Sequence, residues 1–252
     1  MMQLKLSAAA LTATVLLSSC SQSSKPATAG AGQGGGDQHP DISGFWELVS
    51  DSKHVSPASL TPLGTELTEK QRPKVDEGVI TTYASRWCQP LGTPFIMGDA
   101  APLDILQTPR EIAIIAEVQS SARHIYIDGR GHPDMDVFDP TTNGHSIGHW
   151  EGQTLVVETV GFNDRGNLLL PGGGARTPSS KLIEHYELLA AGKQLKVTFT
   201  WEDPQIFTQP HTYFFMYYKS AADQYAREYF CDASDTNRSK TAEQPTQQER
   251  TQ

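Results

Sequence analysis

The chain has 252 residues, a formal charge of −9 at pH 7 and 37% hydrophobic residues. An acidic balance without a basic stripe argues against nucleic acid as a partner and against adhesion of a surface patch to anionic lipid. Roughly 190 residues between polar ends are enough for one domain with a sizeable core.

Residues 1–19 read as an export signal. A short start with one charge, Lys5, precedes an apolar run of about ten residues, too short to span a bilayer. The run ends in Leu17-Ser18-Ser19-Cys20, which resembles a bacterial lipobox. The resemblance implies cleavage before Cys20 and acylation of its sulfur and new amino group. Several acyl chains give stable anchoring where one is marginal. By analogy with lipoprotein sorting, Ser21 points to the periplasmic face of the outer membrane. Residues 20–40 then form the lipidated cysteine and a Gly/Ser/Ala/Gln tether, with an r.m.s. reach on the order of 25 Å. A single β-rich domain is expected over 41–231, followed by a polar tail over 232–252. The exported pair Cys88 and Cys231 is expected to form a disulfide.

In chain order, "DISGFWELVSD" is the first predicted strand. "LTPLGTELTEKQRPKVDEG" predicts one helix, capped by Thr61, with Pro62 at its first position and Gly78 as its stop. Pro73 should kink or divide it. The segments "REIAIIAEVQ", "RHIYIDG", "KLIEHYELLA", "QLKVTFTWED", "HTYFFMYYK" and "AREYFC" read as strands. No βαβ rhythm appears, so the fold class is all-β with one short helical segment. An antiparallel lipocalin-like barrel is expected, with a β-sandwich as the alternative. Gly44-Phe45-Trp46, which resembles the Gly-x-Trp start of lipocalins, favours the barrel.

"GHSIGHWEGQTLVVETVGFND" (144–164) carries the densest set of ionisable groups. Gly152-Gln153 predicts a type II′ hairpin turn, pairing Trp150 with Leu155, His149 with Val156 and Ile147 with Glu158. Alternation then sorts Ser146, Gly148, Trp150, Leu155, Val157 and Thr159 onto a core face. The opposite face holds His145, Ile147, His149, Val156, Glu158, Val160 and Phe162. On it Glu158 is diagonal to both histidines, so a carboxylate between two imidazoles is expected, raising their pKa. A barrel could place this face along a ligand cavity. Zinc at His145 and His149 is excluded by spacing, because on a strand their Cα atoms lie about 13 Å apart. The acidic loop around His132, Asp134, Asp136 and Asp139 lacks EF-hand spacing. No metal or other cofactor is expected.

The segments "LTPLG", "RWCQPLGTP", "HIYIDGRGHP", "GHSIGHWEGQTLVVETVGFND", "LIEHYE", "EDPQIFTQP" and "REYFC", in this order, resemble a large group of exported bacterial proteins of uncharacterised function. The resemblance implies a one-domain β-rich exported protein and supplies no reaction. The chain departs from the group's pattern at His149, Gln153 and His211, which makes His145 the stronger candidate of the two hairpin histidines.

Two function classes follow. The first is a lipid-anchored periplasmic barrel that binds a small, partly apolar molecule, with Arg130, His149, Phe162 and Asn163 as ligand contacts. The second is an acid/base enzyme (isomerase, lyase or hydrolase). In it His145 transfers the proton, Glu158 or Asp164 orients it, and Arg130 holds an anionic group. A third reading, an envelope interaction protein without a pocket, needs only the membrane anchor at Cys20.

Overall fold

A computed structural model describes residues 39–72, 74–76, 79–81, 90–98, 102–165, 169–221 and 224–227. Cys20, Cys88, Cys231, the signal, most of the tether and the polar tail lie outside the described residues, as does most of "AREYFC".

The strands are β1 (Gly44–His54), β2 (Lys74–Asp76), β3 (Val79–Thr81), β4 (Leu103–Gln107), β5 (Glu111–Ala116), β6 (Ser121–Tyr126), β7 (His145–Glu151), β8 (Thr154–Val160), β9 (Lys181–Leu189), β10 (Gln194–Glu202) and β11 (His211–Lys219). Nine of them close a barrel in the order β1-β11-β10-β9-β8-β7-β6-β5-β4, and β1 pairs with both β4 and β11. Closure settles barrel against sandwich. The barrel is mixed, not wholly antiparallel: β6 and β7 run parallel through Ile125–Ser146 and Tyr126–Ile147. A parallel neighbour cannot be reached through a tight hairpin, so the chain makes the long excursion 127–144 between them. That excursion brings the loop back over the barrel's outer face.

Alternation along each strand fills the interior. Trp46, Tyr186, Phe199, Trp201, Tyr213, Phe215 and Tyr217 are all buried there. Among the described residues the barrel interior is therefore a packed core. A short helix, α2 (Phe95–Gly98), packs on this core through Ile96 and Met97. Tyr217 Oη donates to the Met97 carbonyl at 2.7 Å. Between the aromatic layers lies one charge pair: Arg123 on β6 forks onto Glu184 on β9, and both side chains are buried. Its remaining N–H groups reach Ser146 and Thr159 on β7 and β8, and Tyr186 and Met97.

The helix α1 (Pro62–Gln71) starts as expected, with Thr61 Oγ1 accepting from the Gly64 amide at 2.9 Å. It ends sooner than Gly78. Arg72 is already extended at ψ 137°, the conformation that a following proline imposes, and the short hairpin β2–β3 takes the place of the last helical turns. The α1 start docks on the loop after β10, where the Thr61 amide donates to the Ile206 carbonyl. Among the described residues no helix is long and apolar enough to cross a membrane.

The hairpin β7–β8 has the register read from the sequence: Trp150–Leu155, His149–Val156 and Ile147–Glu158. Gly144, at φ +68°, sets its entry, and a Cβ there would stand 2.7 Å from both Thr159 Cγ2 and the Val160 carbonyl. Gly144→Ala combines left-handed strain of about 1–2 kcal/mol with this clash. It should lower the urea-unfolding free energy by more than Gly129→Ala, where φ is +82° but nothing lies near the Cβ position, so that only the strain applies.

Candidate functional site

The face of the hairpin that carries His145, His149 and Glu158 points outward. The residues of the opposite face, Ser146, Leu155, Val157 and Thr159, are buried, while His145, Val156, Glu158 and Val160 alternate with them at intermediate exposure. The face therefore does not line a barrel cavity. It forms part of the outer wall, partly covered by the loop 127–144.

That loop supplies the partner of His145. His132 Nδ1 and His145 Nδ1 are 2.8 Å apart. The ring centroids stand 5.1 Å apart, close to the nitrogen contact extended by one ring radius at each end. The two nitrogens thus point along the line joining the rings, the geometry of a straight hydrogen bond. Tyr126 stacks on His145 at 5.3 Å and Phe138 meets it edge-on at 5.8 Å. Phe138 in turn covers Gly161.

Glu158 faces His132 and not the hairpin histidines. Its Oε1 is 3.4 Å from His132 Nε2, an ion-pair distance, and this buried nitrogen makes no hydrogen bond. Its Oε2 lies 3.7 Å from Lys181 Nζ, which also contacts Glu202 at 3.0 Å. Register explains the alignment. His145, Val160, Lys181 and Glu202 form one cross-strand row from β7 to β10, with Val160 following the β8–β9 pairing by one residue. Glu158 sits one step along on the same face. The hydrogen bond to Glu202 first, then the two carboxylate charges, hold the Lys181 pKa above its ordinary value against a small cost of burial.

Beyond Lys181 the row opens into a surface pocket of about 430 Å³, lined by Lys181, Glu202, Pro204, Phe207 and Pro210 among others. Its wall is the loop after β10. Asp203 braces that loop by accepting from Thr177, Ser180 and the Gln205 amide.

Several expected site residues sit elsewhere. His149 is exposed and pairs with Glu151 at 3.0 Å, because Glu158 turns away toward His132 and Lys181. Phe162 is fully buried against Trp201 and under the Arg176 guanidinium. Gly161, at φ +73°, ends the alternation before it and turns Phe162 inward. Asn163 is a turn residue, with its side chain bonded to the Pro140 carbonyl and the Arg165 amide. Asp164 is exposed and does not orient His145. Arg130 lies near the site, its guanidinium 4.1 Å over the Tyr126 ring. It is already engaged by Asp128 at 2.8 and 2.6 Å, and the Arg130 hydrogen bonds hold the Asp128 carboxyl well below the usual range. Among the described residues no three His, Cys, Asp or Glu side chains converge as a metal-ligand set.

The His145 pKa moves opposite to expectation. It is lowered by burial first, then by His132 and by Arg130. Burial also lowers His132, outweighing the Glu158 charge. The Nδ1–Nδ1 contact accommodates one proton, and a second sets two N–H donors against each other.

No protein-family model matches the chain, and no curated protein matches it.

Both histidines bind protons less readily folded than unfolded. The unfolded chain therefore takes up more protons as pH falls through their ordinary value of about 6.5, and stability drops. Their contribution is intact above about 6.5 and lost as pH falls through the lowered folded values. Urea midpoints should decrease between pH 7.5 and pH 5.5. The decrease should shrink in His132→Gln/His145→Gln; a midpoint that rises over this range contradicts the assignment.

Proposed function

We propose that this chain is a lipid-anchored protein of the bacterial envelope whose barrel serves as a scaffold and whose outer face binds a small, partly apolar molecule. The observation that carries the reading is the pocket of about 430 Å³ at the end of the His145–Lys181–Glu202 row. Its size lies within the range of small-molecule sites, about 300–1,000 Å³. Phe207, Pro204 and Pro210 offer an apolar floor, and Lys181 and Glu202 offer one charge of each sign at the edge.

The ion pair at the edge is easily rearranged. Lys181 and Glu202 are 38% and 42% exposed, and exposed pairs contribute only about 0–1 kcal/mol. A charged end of a ligand can replace either partner at small cost while its apolar body covers the prolines. The packed interior supports an external site over one inside the barrel. The anchor reading rests on the Leu17-Ser18-Ser19-Cys20 motif and the low-complexity tether behind it.

Two experiments test the reading. Titration of the ¹⁵N-labelled domain with phenylacetate and with benzylamine should shift the amides of Lys181 and residues 202–210 for at least one probe. Lys181→Ala/Glu202→Ala should weaken that binding about tenfold, equivalent to about 1.4 kcal/mol. Shifts confined to other regions, or an unchanged affinity in the variant, would remove the pocket assignment. Separately, Cys20→Ala should leave an unacylated precursor, and normal acylation of this variant would refute the anchor.

A further inference from the structure

We infer that Glu158, His132 and His145 form an electrostatic line that leaves His145 Nε2 as a free base, with His145 the catalytic residue and His132 the positioning residue. The inference rests on the proposed binding reading only for the molecule that approaches His145; the line itself exists without a ligand.

The argument starts from where protons can sit. One nitrogen of the His132 Nδ1–His145 Nδ1 contact must donate and the other must accept. If His132 Nδ1 carried the proton, neutral His132 would present a bare lone pair at Nε2 to the Glu158 carboxylate 3.4 Å away. Two electron-rich groups would then face each other at a buried atom. The alternative removes the conflict. His132 holds its proton on Nε2 toward Glu158 and accepts at Nδ1 from His145. His145 is thereby fixed with its proton on Nδ1 and a lone pair on Nε2. The hydrogen bond made by one ring nitrogen decides the state of the other, as in sites where a carboxylate orients a histidine through its second nitrogen. This protein inserts a second imidazole between carboxylate and base.

The surroundings suit such a base. His145 Nε2 has no hydrogen-bond partner in the described residues and is not among the buried unpartnered atoms. Tyr126 and Phe138 wall the ring with aromatic surface, which matches a molecule with an apolar arm. When Nε2 takes a proton, the imidazolium charge is balanced through His132 by the Glu158 carboxylate, which Lys181 approaches from its other side at 3.7 Å. The groups around the line are Tyr126 on β6, Arg130 with its partner Asp128 in the following loop, Glu158 on β8 and Lys181 on β9. Arg130 is neutralised by Asp128, so Glu158 supplies the balancing charge.

The test is direct. Two-bond ¹H–¹⁵N spectra at pH 7.5 should show His145 protonated on Nδ1 and His132 on Nε2. His132→Ala should return His145 mainly to the Nε2-protonated form, whereas His132→Gln should keep the Nδ1 form, because its side-chain carbonyl can still accept. Cleavage of p-nitrophenyl acetate gives a chemical readout. Nε2 takes one proton from water as the water oxygen bonds to the acyl carbon and p-nitrophenolate leaves; the acetic acid formed gives up the second proton to leave acetate, and both protons pass to solvent. The rate above that of His145→Ala should fall about fivefold in His132→Ala and be retained in His132→Gln. A wild-type His145 protonated on Nε2, or wild-type cleavage no faster than His145→Ala, overturns the inference. If His132→Ala does not fold, the wild-type tautomer and His132→Gln decide alone. A failed pocket titration with the Nδ1 form present would remove the binding site and leave the base.

Discussion

The barrel depends on one buried ion pair. Arg123 and Glu184 sit at zero to one per cent exposure, where each charge taken from water costs several kcal/mol. Such a pair survives only if every lone pair and N–H is used. Arg123 spreads its donors over Glu184, Ser146, Thr159, Tyr186 and Met97. Burial pulls its pKa down, but Glu184 and Tyr186 more than offset this and leave it raised. The pair thus ties β6, β7, β8 and β9 to the core-packed helix α2 at one level of the barrel.

Fixing that level decides which way every neighbouring side chain faces. With Ser146 and Thr159 turned in toward Arg123, His145 and Glu158 must turn out. The parallel contact between β6 and β7 then requires a long return, and the return carries His132 and Phe138 over the outer wall. A second buried guanidinium ties the C-terminal end of this return to the segment after β8. Arg176 donates to the carbonyls of Thr93, Thr142, Asn163 and Arg165 without a carboxylate partner among the described residues, and burial lowers its pKa to about 10. Interior charge and exterior site are therefore two consequences of one register.

Much of this was legible in the sequence. Alternation and the Gly152 turn were enough for the β7–β8 register and for sorting the two faces, because a half-buried hairpin has period two throughout. The same parity puts Arg123 in phase with Ile125, and Glu184 in phase with Leu182 and Tyr186. Two opposite charges on core faces were thus readable, though not their meeting, which requires the order of four strands. The role of His132 was not readable. It comes from a loop, where no period constrains direction, and only the parallel pairing brings it to His145. Phe162 was misplaced because a single left-handed glycine resets the alternation. Pro73 could be expected to divide the helix; the hairpin that follows it was not anticipated.

The most direct measurement is a double-mutant cycle on the interior pair, with Arg123→Met, Glu184→Leu and their combination followed by urea unfolding. Each single change strands a buried charge or its donors, and should cost about 3–5 kcal/mol. The double variant should cost far less than the sum, since no unpaired charge remains. Additive costs below about 1 kcal/mol each would mean that the pair behaves as a solvated one. The interior would then be open to water, and the account of a filled barrel with an external site would be contradicted.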